Sequence, residues 1–251
     1  MRTEAYLTSR KNQLFVHLHK LQNSRAYREE TRQFCADGIK LLDEALRHYS
    51  GLHTVIACEG MDLPELPESV RLVRVPEGLM QSISSMRTPQ GVIFLCDLPE
   101  SAPLRLTPGC LILDGIQDPG NLGTILRTAD ALEVPAVLAD GCADPYAEKT
   151  VRASMGAVLR TVPQAASAEE IIGTCRTAGI PLAVTALSPD AQDLRDCPLS
   201  ECAIVIGSEG QGVRQAFLDA ADRRVIIPMH PRCESLNAAA AAAIVMWEMR
   251  R

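Results

Sequence analysis

Nowhere in its 251 residues does the chain hold an apolar run near the roughly 18 residues that a membrane helix needs, which sets membrane spanning aside. Its opening, MRTEAYLTSRKNQLFVHLHKL, is polar and lacks the apolar segment of a secretory signal, so a soluble, cytoplasmic protein is expected. The nine cysteines contain no C-x-x-C pair; scattered and odd in number, they predict reduced thiols and not a disulfide framework or a zinc site. The phosphate-cradling G-x-x-x-x-G-K-[ST], the H-E-x-x-H of zinc hydrolases, the G-x-S-x-G nucleophile elbow and any paired Cys/His ligand set are all missing, so hydrolase and metal readings have little support. There are no internal repeats.

What is present is a chain of ordinary hydrophobic content, 47%, long enough for one large or two modest domains and too apolar for disorder. The net charge of −6 argues on its face against a nucleic-acid partner. Its distribution qualifies that: residues 1–50 hold nine Lys/Arg against six Asp/Glu, whereas residues 108–251 hold twelve against eighteen. The basic excess lies at the N-terminus, in Arg10, Lys11, Lys20, Arg25, Arg28 and Arg32 among others. An excess of this size is also what a solvated face carries.

The first hundred residues read as a small α/β unit. Leu14, Leu18 and Leu21 recur at helical spacing. A second helix follows in DGIKLLDEALRHYSG, with Asp37 as its cap, Ile39, Leu42 and Leu46 as its stripe and Gly51 as its stop. HTVIAC, VRLVRV and GVIFLC read as strands, with a short helix in PEGLMQSIS between the last two. A proline-rich stretch then predicts a linker over 98–107, dividing the chain into 1–97 and 108–251. Beyond it, CLILD, PAVLAD, PLAVTA, CAIVIG and RVIIPM read as strands, AVLRTV as a weaker one, and helical stretches fall between most of them. Near-continuous apolar strands alternating with helices predict a parallel sheet covered on both faces, so the fold class is α/β. The alanine-rich end, LNAAAAAAIVMWEMRR, is strongly helical.

Ligands of open parallel sheets bind beyond the carboxyl ends of the strands. Three such loops carry unusual residues: DGIQDPGNLGTILRTA, AIVIGSEGQGV and VIIPMHPRCESLNAAAAAAI. Each has a bland reading. Asp118-Pro119-Gly120-Asn121 is a good turn, Asn121 a possible cap and Arg127 a possible surface arginine. Gly207, Gly210 and Gly212 are wrongly spaced for a dinucleotide fingerprint, and Glu209 suits a helix start. Ser235 and Asn237 would serve as caps of the last helix.

Together and in this order, the three loops resemble the motifs of the SpoU, or TrmH, branch of the SPOUT superfamily, RNA ribose 2′-O-methyltransferases. The resemblance covers the whole C-terminal domain and extends, more weakly, to SRKNQLFVHLHKL and FCADGIKLLDEAL, which look like the family's small substrate-binding domain, itself similar to ribosomal proteins that bind RNA kink-turns. It implies a deep trefoil knot, S-adenosylmethionine as cofactor, no metal, an RNA substrate with ribosomal RNA favoured over transfer RNA, and a homodimer. By position, Asn121, Arg127, Glu209, Ser235 and Asn237 stand at the catalytic places. Gly207, Ile227, Met229 and Leu236 fall at the cofactor, with Thr185, Ala186 and Leu187 as another wall of its pocket. Arg10, Lys11, Arg25, Arg28 and Arg152 are candidate RNA contacts.

Three departures stand out. Pro231 replaces a usual glycine, which removes an amide donor. Ala238 to Ala243 replace a serine and valines. CADG, with Asp37, replaces the usual EG pattern. A base-directed methyltransferase, a non-catalytic RNA-binding relative and a dinucleotide enzyme are the rival readings.

Overall fold

A computed structural model describes residues 5–208, 210–230, 232–233 and 235–251. The chain forms two compact units: the first is the chain up to residue 100 together with 146–160, the second is 101–145 with 161–251. Residues 98–107 carry neither helix nor strand.

The first unit runs β1 (Ala5–Tyr6), α1 (Gln13–Asn23), α2 (Arg25–Thr31), β2 (Gln33–Asp37), α3 (Ile39–His48), β3 (Leu52–Cys58), β4 (Arg71–Val75), α4 (Glu77–Ile83) and β5 (Val92–Asp97). Its sheet has the order β1-β4-β3-β5-β2, with β5 antiparallel to both neighbours and the other pairs parallel. The Asn12 side chain accepts from the Leu14 amide at 2.9 Å and starts α1, whose Phe15, Leu18 and Leu21 bury against Ile56, Val73 and Ile93 of the sheet.

Residues 33–37 correct the sequence reading. They form an edge strand, not the approach to a capped helix. Phe34 turns to the rings of Tyr49 and Tyr146, at 5.7 and 4.9 Å, while Cys35 turns to the α1 side of the sheet. Burial on both faces erases the alternation that would betray so short a strand. Asp37 is therefore not the helix cap. Its carboxylate accepts from the Ser84 hydroxyl, and the Ile39 amide at the start of α3 donates to Gln90 Oε1 at 3.1 Å. Gly51 is not the helix stop either, since α3 ends at His48 with Tyr49 as its cap; a Cβ on Gly51 would lie 2.9 Å from the Asp97 carbonyl oxygen, and that close approach selects glycine.

The second unit begins with β6 (Leu111–Asp114), α5 (Pro119–Ala131) and β7 (Ala136–Leu138). The chain then supplies α6 (Glu148–Ala153) and α7 (Ala157–Arg160) to the first unit. It returns with β8 (Gln164–Ala165), α8 (Ala168–Ala178), β9 (Leu182–Thr185), β10 (Gln192–Asp193), β11 (Ala203–Gly207), α9 (Gln215–Ala220), β12 (Arg223–Ile226) and α10 (Ala238–Met249). AVLRTV is thus the helix α7 and a turn, not a strand. Met155 and Gly156, with φ of 51° and 81°, break the chain between α6 and α7; Ala157, Val158 and Leu159 are buried, and Arg160 pairs with Glu44. A short apolar run of this kind has no periodicity to separate helix from strand.

The second sheet is parallel in every described pair, in the order β10-β12-β9-β11-β6-β7-β8. Ile112, Val137, Val184, Val205 and Phe217 centre its core. From β6 the chain moves outward to β7 and β8, and it later returns on the other side of β6 as β9, β11 and β12. The strand order reverses where β6 meets β11, and a crevice opens at such a switch point.

Candidate functional site

Pro119 occupies the first turn of α5, where its missing amide costs nothing, and the Asp118 carboxylate accepts from the Asn121 amide at 2.8 Å. Asp118, not Asn121, is the cap. The Asn121 side chain bonds elsewhere, and its Oδ1 accepts from Asn237 Nδ2 at 3.0 Å. Asn237 is held by α10, because its Oδ1 accepts from the amides of Ala239 and Ala240 at 3.0 and 3.2 Å. The cap directs the asparagine's oxygen into the helix and its NH₂ toward Asn121. This hydrogen bond therefore joins the first turn of α5 to the loop after β12.

Beyond the ends of β9, β11 and β12 lies a cavity of about 690 Å³, within the roughly 300–1,000 Å³ usual for small-molecule sites. Thr185, Ala186, Leu187, Gly207, Ile227, Met229 and Leu236 all line it, as does Ser235. The aliphatic walls suit a flat apolar ring, and the strand-end backbone can meet its polar edges. Arg224, the cation among the described lining residues, is paired with Asp190 at 2.5 Å and donates to the Leu218 carbonyl. A cavity whose cation is already engaged suits S-adenosylmethionine, which has no phosphate, better than a dinucleotide.

The glycine-rich loop after β11 folds back on itself: Ser208 and Gly212 exchange backbone hydrogen bonds of 3.2 and 2.9 Å. A Cβ on Gly207 would sit 2.1 Å from the Gly212 carbonyl carbon, so no larger residue fits that turn. Two residues that sequence reasoning missed hold the loop's far end. Asp114, 2% exposed at the end of β6, accepts from the Arg214 amide at 2.7 Å and from Arg214 Nε at 2.6 Å. The same guanidinium donates to the Asp140 carbonyl. The available signal was an acid ending an apolar strand; its partner lies 100 residues away.

Arg127 stands apart. It follows Asn121 by six residues, about 120° around α5 and roughly 9 Å along it. It is exposed, and no hydrogen bond or ion pair among the described residues reaches it. Its neighbours on that face, Thr124 and Thr128, turn their hydroxyls back to the carbonyls of Gly120 and Thr124. Asn121 is thus joined to Asn237 and not to Arg127. Glu209 and Pro231 lie outside the described residues. Among the described residues there is no group of three or more His, Cys, Asp or Glu placed to hold a metal, and no helix is long and apolar enough to cross a membrane.

The basic residues of the first unit are used in different ways. Arg10 and Lys11 are exposed, Arg25 is exposed beside Glu29, and Lys20 lies over the Tyr27 ring at 5.0 Å. Arg32 donates to the carbonyls of Leu98 and Pro99. Arg28 is a correction. It is 4% exposed and donates to the Leu21 carbonyl, so its guanidinium ties α2 to the end of α1 and is withdrawn from any surface. Arg152, on α6, pairs with Glu148 at 2.9 Å and lines a cavity of about 290 Å³ together with Asp37, Lys40, Arg47 and Gln90.

Comparison with known proteins adds a lineage to this geometry. Residues 108–247 match the SpoU rRNA Methylase family, and residues 12–93 match the MRM3-like substrate binding domain. The chain is 32% identical over 247 residues to the Bacillus subtilis 23S rRNA (guanosine(2553)-2'-O)-methyltransferase RlmP, covering 97% of this chain and 98% of that protein. It is 28% identical over 263 residues to a 23S rRNA (uridine(2479)-2'-O)-methyltransferase of Streptomyces viridochromogenes, covering 98% and 91%. Among solved structures, the AdoMet-bound rRNA methyltransferase from Sinorhizobium meliloti superposes with a TM-score of 0.88 at 30% identity, covering 99% of this chain and 98% of that one. A family match over more than half the chain, with relatives alike along nearly all of it, shows that the chain belongs to the SpoU rRNA methylase family.

Proposed function

We propose that the chain methylates a ribose 2′-hydroxyl of ribosomal RNA, with S-adenosylmethionine as methyl donor. The observation that carries this reading is the Asn121–Asn237 hydrogen bond, which brings the first and third motifs together beside the cavity lined by Gly207, Ile227 and Leu236. The relatives named for 23S rRNA 2'-O-methylation favour ribosomal over transfer RNA.

When bound, the cofactor supplies an electrophilic methyl group on a sulfonium. Thr185, Ala186, Leu187, Gly207, Ile227, Met229 and Leu236 would hold it, with Ser235 at the rim. The attacking hydroxyl must be aligned, and alignment supplies much of the acceleration of such a displacement. A guanidinium offers five donors and no acceptor, so Arg127 is not read as the base. Its guanidinium, which no bond among the described residues engages, instead binds the ribose or its phosphate and stabilises the developing alkoxide. Glu209 belongs to the same set by its place in the second motif.

A homodimer completes this reading. Ile244 and Trp247 are 39% and 65% exposed on α10, which packs against α5, the helix of Arg127. Two copies meeting there would cover this apolar surface and carry Arg127 toward the partner's cofactor. The family's trefoil knot and a cytoplasmic location belong to the same proposal. The first unit would grip the RNA through Arg10, Lys11, Arg25 and Arg152.

The test is to map ribose methylation across ribosomal RNA from cells with and without the gene, and to restore the lost mark with purified protein and S-adenosylmethionine. A single 2′-O-methyl group that disappears and returns is expected. An unchanged ribosomal RNA map with a mark lost from transfer RNA would overturn the substrate assignment.

A further inference from the structure

The wall of the cofactor cavity formed by Ser208 and residues 210–213 has both ends fastened to one residue. At its start, Gly207 is the β11 partner of Asp114 in the parallel ladder with β6. At its end, Arg214 gives Asp114 two hydrogen bonds, from its amide at 2.7 Å and from Nε at 2.6 Å. Between these points Ser208, Gly210, Gln211, Gly212 and Val213 face the cavity. Among the described residues, the internal ties here are the Ser208–Gly212 pair and a 3.2 Å bond from the Gln211 amide to the Ser208 hydroxyl. Those ties shape the loop but do not aim it at the cavity. Asp114 itself does not line the cavity, and with 2% of its surface exposed it cannot meet the cofactor.

We propose that Asp114 is a positioning residue for cofactor binding, acting through Arg214 to hold Ser208 and residues 210–213 in their cofactor-ready place. This inference rests on the S-adenosylmethionine reading above. A carboxylate buried this deeply needs its partners, and hydrogen bonds to a charged group are stronger than neutral ones. The Arg214 guanidinium also reaches the Asp140 carbonyl and, at 3.4 Å, the Asp140 carboxylate, so the ends of β6 and β7 and the loop after β11 are drawn to a single point. Loosening that point lets the wall move, and the cofactor must then re-order it on binding, which weakens affinity.

Three substitutions grade the effect. Asp114→Asn removes the charge and turns an NH₂ toward one of the two donors. Arg214→Ala loses the guanidinium but keeps the backbone amide bond to Asp114. Arg214→Lys keeps a positive charge within reach. Calorimetry with S-adenosylmethionine at 10 °C should show the Kd rising by about tenfold or more for Asp114→Asn, less for Arg214→Ala and least for Arg214→Lys. The KM for the cofactor should rise in the same order, while kcat at saturating cofactor and RNA changes far less. A merely structural salt bridge would lower the melting temperature of the variants and leave the Kd of the folded protein at 10 °C unchanged, and that result overturns the proposal. If Asp114→Asn does not fold, the two Arg214 variants decide the matter, since that side chain is 33% exposed. Failure of the wild-type chain to bind S-adenosylmethionine overturns the cofactor reading and this inference with it; equal affinity in wild type and variants overturns this inference alone.

Discussion

Two regions of the second unit treat their polar side chains in opposite ways. Around the cofactor cavity, Asn121, Asn237, Asp114 and Arg214 are each bonded to another part of the fold. On the exposed face of α5, Arg127 has no partner among the described residues, and the hydroxyls beside it are satisfied within the helix. On the proposed function, the difference separates the two halves of the reaction. The side that receives the small molecule is organised by the chain alone, so little ordering remains to be done when the ligand arrives. The other side, on the same reading, would offer a planar cation to the RNA.

The largest effect should come from removing that cation. Arg127→Ala is expected to slow methyl transfer by roughly 100-fold or more, the scale for losing one preorganised electrostatic group. Single-turnover kinetics measures this, and calorimetry should find cofactor affinity nearly unchanged. Arg127→Lys should recover part of the rate, because the charge survives and the planar fork does not. If Arg127→Ala instead weakens cofactor binding in proportion to the rate, the contrast between the two regions collapses. Mixing Arg127→Ala with Asn237→Ala should regenerate some activity if the arginine serves the partner's cofactor; confirmed subunit exchange without recovery would assign it to its own subunit.

Next in size is the surface beside it. Trp247→Glu places a charge on the most exposed apolar side chain of α10. A buried aromatic anchor at an interface is worth about 2 kcal/mol or more, so light scattering at micromolar concentration should shift from dimer to monomer. A wild-type chain that is already monomeric at high micromolar concentration would remove the homodimer from the proposal.

Among these contrasts, the parts that were legible in the sequence are those set by local rules. The apolar runs that became β6, β9 and β11 needed no partner to be read, because strands covered on both faces are near-continuously apolar. Asp-Pro-Gly-Asn announced the start of α5, and Ser-Leu-Asn the start of α10. What stayed hidden depends on residues far apart. Asp114 meets Arg214 and Asn121 meets Asn237 across 100 and 116 positions, and no spacing rule connects them. Arg28 looked like one more surface cation until the fold closed over it. The segment 146–160 reads as part of the second domain, yet Tyr146 packs on Phe34 and Arg160 pairs with Glu44. A cut at residue 97 would therefore strip that segment of its packing, so a simple truncation is not a clean separation of RNA binding from cofactor binding.

A smaller effect is expected at the joint between the loops. Asn237→Ala removes the cap of α10 together with the bond to Asn121. Loss of a cap of this type costs about 1 kcal/mol, and the second bond adds a comparable amount at most. Thermal unfolding should show a drop of a few degrees. Asn121→Ala should show less, since the cap survives. Equal losses in the two variants would mean that the bond between the motifs, and not the cap, carries the stability.

The smallest effect tests whether the first unit contains the same kind of tied polar group. Asp37 is 3% exposed; one carboxylate oxygen takes the Ser84 hydroxyl, and the other is buried with no partner among the described residues. Burial pushes its pKa up to about 6; the nearby Glu148 carboxylate adds to the rise, and the Ser84 hydroxyl and Arg152 oppose it. The unfolded chain releases the same proton near pH 3.9. Between those values the folded state binds more protons than the unfolded state, so this group's contribution makes the protein less stable as the pH rises toward 6 and beyond, and more stable as it falls. At pH 7 the ionised carboxylate is a buried burden. Asp37→Asn keeps a polar partner for Ser84 and removes that charge. Comparing melting temperatures of variant and wild type cancels the titration of every other group. The variant's relative stability should be greatest at pH 7 and should shrink by about 1 kcal/mol on going to pH 5. A difference that stays constant across this range would show that Asp37 titrates like an ordinary surface carboxylate, and that its buried oxygen is solvated in solution.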